Sequence, residues 1–212
     1  PAGECAVTAG RRLMSFSIKN CRVTVDFLFV AVLAVFFLFD RSGMAVLGLS
    51  CAALHELGHL AVMAAFGTAP SQIRFTPFGI DMIKSAGIDR SYWRDAAISA
   101  AGPGTNLAAA LVCTLADERY FHSFILANLV LAGFNLLPVE PLDGGQALYS
   151  VLCTRLNAAL SARIVSVASF AVLTPLAAIG FLFLFRANGN FYLLAVSVYL
   201  IFLLLYKNGR YY

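Results

Sequence analysis

The stretch 51-CAALHELGHLAVMAAFG-67 sets two histidines and a glutamate in the middle of an otherwise apolar run. An ionisable side chain at mid-bilayer costs at least ~2.5–3.5 kcal/mol on insertion scales, so a membrane helix keeps one only where something compensates. The rest of the chain indicates that this run is a membrane helix. Its 212 residues are 60% hydrophobic and 12% charged, with a mean hydropathy of +0.82, whereas soluble domains carry about 25% charged residues. The composition predicts an all-α polytopic membrane protein and argues against a soluble domain with a single anchor. A net charge of +4 is modest for a nucleic-acid binder, so no nucleic-acid partner is expected. Five cysteines without a CxxC pair argue against a disulfide framework.

Apolar segments predict six spans, at Val23–Phe39, Met44–Phe66, Ala96–Ala116, Phe121–Leu137, Ile164–Phe185 and Phe191–Tyr206. Each approaches the ~20 residues that a helix needs to cross the hydrocarbon. With the N-terminus in the cytoplasm, that side receives twelve basic residues: Arg11, Arg12, Lys19, Arg22, Arg74, Lys84, Arg90, Arg94, Arg155, Arg163, Lys207 and Arg210. The other side receives only Arg41, Arg119 and Arg186. The bias predicts a multi-pass protein of a bacterial cytoplasmic membrane with both termini inside. Residues 1–13 read as a non-native or disordered leader, and 14–212 as one domain. Between the second and third spans, Ile73, Phe75, Ile80 and Met82 alternate around Pro77 and Gly79, which predicts a short β-hairpin at the membrane surface.

His55 and His59 are four residues apart, so one helix face presents both imidazoles. With Glu56 between them the pattern is H-E-x-x-H, the spacing of a zinc hydrolase whose glutamate acts as general base. Cys51 lies one turn further along the stripe, but three ligands on a straight helix span ~12 Å of rise, too far for one ion. A catalytic zinc needs a third protein ligand and an open position. The segment 135-NLLPVEPLDGGQAL-148 offers two acids beside helix-breaking prolines and glycines. Asp143 is the better placed candidate there and Glu140 its rival, while an aspartate capping the next helix accounts for the same residue without metal.

Three elements, HELGH, 99-SAAGPGTNLAAA-110 and NLLPVEPLDGG, occur in the order found in the site-2 protease family of intramembrane zinc metalloproteases, which this sequence resembles. The six-span plan is most similar to the sporulation branch typified by stage IV sporulation protein FB, with neither a PDZ insertion nor a CBS domain expected here. The resemblance implies one Zn2+ held by His55, His59 and Asp143, with Glu56 moving the proton from the attacking water to the leaving amine. It implies that Asn106 stabilises the oxyanion or holds substrate backbone, while an interhelical polar clip accounts for the same residue without a role in catalysis. It also implies that the loop with Phe75, Pro77, Phe78 and Gly79 offers an edge strand to the substrate by β-augmentation, with an amphipathic membrane-surface loop as the alternative, and that Asn135 contacts the substrate.

The implied substrate is a membrane-tethered protein such as a sigma-factor precursor, cleaved within the bilayer, with regulatory membrane proteins as further partners. A divalent-cation transporter is the main competing class, but it predicts internal repeats and ionisable residues in several spans. A silent membrane binder would have no use for Glu56.

Overall fold

Two valines flank Thr24 at the start of the first apolar run, and β-branched side chains favour a pleated backbone. In the computed structural model of the chain, Cys21–Asp26 is indeed a strand, β2, and helix α1 runs from Phe27 to Phe39. The expected span Val23–Phe39 is corrected accordingly. Its first four residues are strand, and the 13 helical ones rise only about 20 Å. The structure describes residues 12–18, 21–68, 70–76, 79–84, 91–186, 196 and 198–201. The chain divides into two units, Pro1–Asp89 and Arg90–Tyr212.

In the first unit, strand β1 (Arg12–Ile18) precedes β2 and α1, and helix α2 (Met44–Ala65) leads to β3 (Pro70–Thr76) and β4 (Gly79–Lys84). Arg12 and Leu13, from the segment read as a leader, lie in β1. The strands form one sheet in the order β1-β2-β3-β4. The outer pairs are antiparallel and β2 pairs parallel with β3. A parallel pair needs a long crossover connection, and α1 and α2 supply it.

The hairpin expected after the second span is β3–β4, and the all-α expectation is corrected by the two further strands before α1. The register aligns Phe16, Val23, Ile73 and Met82 across the four strands, with Val25, Phe75 and Ile80 on the same face. Arg22, Thr24, Gln72 and Arg74 take the other face. Helix α1 packs on the apolar side, where the Phe29 and Phe75 rings lie 5.5 Å apart.

The turn between α1 and α2 depends on Gly43, whose φ of 75° lies in the left-handed region. Asp40 accepts hydrogen bonds from the backbone N–H of Ser42 (3.1 Å), Met44 (3.2 Å) and Ala45 (2.8 Å), and from Ser42 Oγ (3.1 Å). Desolvation pulls its carboxyl upward, but these bonds outweigh it and hold the group below the ordinary 3.8. With the folded value below the unfolded one, the carboxylate stabilises the turn fully above pH 3.8 and loses that contribution as pH falls through the lower folded value. Asp40→Asn is expected to fray the first turn of α2 at neutral pH, read as faster hydrogen exchange at Met44 and Ala45; unchanged exchange would refute the cap.

In the second unit, α3 (Tyr92–Asn135) breaks at Asp117, where φ is −163° and ψ 97°. The Asp117 carboxylate accepts from the N–H of Arg119 (3.0 Å) and Tyr120 (3.2 Å), starting the second arm. The break falls between the expected third and fourth spans. Helix α4 (Asp143–Cys153) packs on α3, and α5 (Ala158–Arg186) packs on α4. Asn157 caps α5 by accepting from Leu160 N–H at 2.8 Å, so this helix begins six residues before the expected Ile164.

Among the described residues, three helices are long and apolar enough to cross a membrane: α2, α3 and the 158–182 part of α5. Of the expected sixth span, residues 196 and 198–201 are helical and the remainder lies outside the described residues. Val139, Leu173 and Leu200 form a buried core that Phe134, Leu137, Leu142, Val172 and Leu176 surround.

Candidate metal centre

Helix α2 is apolar along its length, yet its buried positions are Cys51, His55, Gly58, His59 and Met63. These recur at three- and four-residue steps, so the histidines lie on the covered stripe of the helix. His55 and His59 are 6% and 8% exposed. Their rings meet edge to face with centroids 4.8 Å apart, and the two Nε2 atoms are 3.2 Å apart. One Nε2 carrying a proton can donate to the other; with both deprotonated, two lone pairs converge on the same small volume. Glu56 follows His55 in sequence and is half-buried. A groove of about 680 Å³ beside the start of α2 is lined by Val35, Phe36, Phe39, Met44 and Ala45. It lies ten residues, or ~15 Å of helix rise, from His55 and plays no part in this arrangement.

In the second unit, Asp143 is the first residue of α4, one past the N-cap Leu142. A carboxylate in the first turn of a helix is favoured by the unpaired N–H groups there. Gly144 and Gly145 press against the chain that leads into them. A Cβ on Gly144 would collide with the carbonyl oxygens of Leu136 and Leu137, and one on Gly145 would lie 2.5 Å from Val139 O. The fold therefore brings Asp143 back over the end of α3 through a turn that only glycine permits. Glu140, the rival ligand, is half-buried in that turn, and its backbone N–H donates to Ser169 Oγ at 2.9 Å.

Asn106 is fully buried and donates to Asn128 Oδ1 at 2.7 Å, and Asn128 Nδ2 donates to Phe124 O at 2.9 Å. The pair clips the two arms of α3 together, and one amide hydrogen of Asn106 is committed to it. Asn135 donates to Leu131 O at 3.0 Å at the end of the same helix. Among the expected substrate contacts, Phe75 lies in β3 and Gly79 opens β4, while Pro77 and Phe78 lie outside the described residues. Asn128 and Ser169 are not ionisable, so the insertion penalty that marks His55, Glu56 and His59 in the sequence does not single them out. An amide or hydroxyl in an apolar run is a weaker signal, though a visible one.

The family model for peptidase family M50 matches residues 114–179. A zinc metalloprotease of Methanocaldococcus jannaschii is 30% identical over 124 residues, covering 52% of this chain and 34% of that protein. Stage IV sporulation protein FB of Bacillus subtilis is 29% identical over 109 residues, covering 49% of this chain and 38% of that protein. These matches span about a third of each relative's length. The solved site-2 protease from Methanocaldococcus jannaschii superposes with a TM-score of 0.63 at 25% identity, covering 92% of this chain and 94% of that one. The family model falls on the segment that carries Asp143; in sequence the chain is similar to peptidase family M50, and it shares its fold with a solved site-2 protease.

Proposed function

We propose that this chain is an intramembrane zinc endopeptidase that hydrolyses a peptide bond in or near the membrane segment of a tethered protein. The observation that carries the reading is the buried His55–His59 pair, with Nε2 atoms 3.2 Å apart on an apolar helix. We assign the metal to His55, His59 and Asp143, a donor set of two imidazoles and a carboxylate that suits zinc. When bound, zinc supplies Lewis acidity and brings the pKa of water towards ~7.

The chain's own residues do the rest. Glu56 accepts the proton of the attacking water and returns it to the leaving amine. The apolar helix around it keeps bulk water away, so only a small wet pocket is needed. Asn106 and Asn135 are assigned to substrate backbone, and the β3–β4 hairpin to an unwound substrate segment that adds as a strand. The basic-residue bias supports an orientation with both termini in the cytoplasm. A membrane-tethered sigma-factor precursor is the first substrate class to test.

The decisive experiment measures zinc per mole of purified wild type, His55→Ala, His59→Ala, Asp143→Asn and Glu140→Gln, and co-expresses each with a tethered sigma-factor precursor. The first three variants should lose most of their zinc and all detectable cleavage, and Glu140→Gln should keep its zinc. A larger zinc loss in Glu140→Gln than in Asp143→Asn would reverse the ligand assignment. Zinc uptake into liposomes by the wild type would favour transport.

A further inference from the structure

The turn that carries Asp143 has an unusual backbone problem. Pro138 and Pro141 contribute no N–H. Val139 N–H bonds Leu137 O at 2.7 Å and Leu142 N–H bonds Val139 O at 2.7 Å. Glu140 N–H is satisfied from another helix, by Ser169 Oγ on α5 at 2.9 Å. Ser169 is fully buried, and its hydroxyl hydrogen is directed to Val165 O at 2.8 Å. The hydroxyl oxygen is thereby left as an acceptor for Glu140.

The surroundings make this bond matter. Ser161, Val165, Ser169 and Leu173 recur every four residues along α5, and all are 0–1% exposed. Leu173 packs with Val139 in the apolar core, so the turn is held by one apolar plug and one hydrogen bond. An N–H left without an acceptor among such side chains is costly. The turn would move to find one, and Asp143 lies three residues further along.

We propose that Ser169 is a positioning residue for the metal centre. Through Glu140 N–H it fixes the turn from which α4 presents the Asp143 carboxylate. Residues that orient a ligand from behind are commonly worth ten- to a hundredfold in metal affinity. The inference rests on Asp143 being a ligand, but the bond itself can be tested apart from that reading.

The test compares full-length wild type, Ser169→Ala and Ser161→Ala in lipid nanodiscs. Ser161 is an internal control, since it is equally buried and loses the same atom. Its hydroxyl donates only to Asn157 O, within its own helix turn, at 3.0 Å. Two quantities are read: hydrogen exchange of peptides covering 137–142 in the metal-free protein, and zinc affinity by chelator competition. Ser169→Ala should accelerate exchange in that segment and weaken zinc roughly ten- to a hundredfold, and Ser161→Ala should do neither. Wild-type zinc affinity in Ser169→Ala overturns the positioning role, as does an equal loss in Ser161→Ala. If wild type binds no zinc, the metal reading and this role fall together, while the exchange comparison still decides whether Ser169 holds the turn.

Discussion

Replacing Glu56 with Gln should leave zinc bound and reduce cleavage by roughly 10²–10⁴-fold, the usual worth of a general base. The substitution keeps length, branching and helix propensity, so α2 has no local reason to change. It removes only the ability to take a proton. A neutral amide is also cheaper than a carboxylate in apolar surroundings, so the variant should fold at least as well as the wild type.

The contrast with His55→Ala is informative because that variant is expected to lose zinc and activity together. Metal analysis of the purified proteins, alongside cleavage of a tethered substrate in the same cells, separates the two outcomes. Cleavage by Glu56→Gln at the wild-type rate would remove Glu56 from the mechanism. Zinc loss in Glu56→Gln would recast it as a ligand or as a support for one.

The centre was legible in the sequence for a physical reason. A bilayer penalises His and Glu, so their survival in a run as apolar as 51–67 marks them out, and the four-residue step sets both imidazoles on one face. Asp143 was legible from the Pro and Gly residues around it. The rest was hidden where local pattern is degenerate. Val23–Phe39 is apolar apart from Thr24 and Asp26, and such a run reads equally well as buried strand or helix. Only pairing with β1 and β3 separates β2 from α1.

The β3–β4 hairpin was visible through its alternation, but its place in a four-stranded sheet depends on strands far away in sequence. Ser169 is one serine among several in α5. Its role comes from Glu140 N–H arriving 29 positions away in sequence, which periodicity along one helix does not encode.

Gly144→Ala should disrupt the metal centre without touching a ligand. An added Cβ would collide with the carbonyl oxygens of Leu136 and Leu137. These are main-chain atoms, so no rotamer change relieves the clash, and either the end of α3 or the start of α4 must shift. Overpacking of this kind costs about 1–3 kcal/mol, and Asp143 is the adjacent residue. The expected result is a tenfold or greater loss of zinc affinity together with lower thermal stability. Gly133→Ala is the control. It lies on an exposed face of α3, where a Cβ meets nothing within 4 Å, and replacing a helical glycine by alanine there should stabilise by roughly 0.5–1 kcal/mol. Chelator competition and thermal unfolding on both variants decide the matter. Wild-type zinc affinity in Gly144→Ala would mean that the turn can yield without moving Asp143, and that the close approach of α4 to the end of α3 is not what positions this carboxylate.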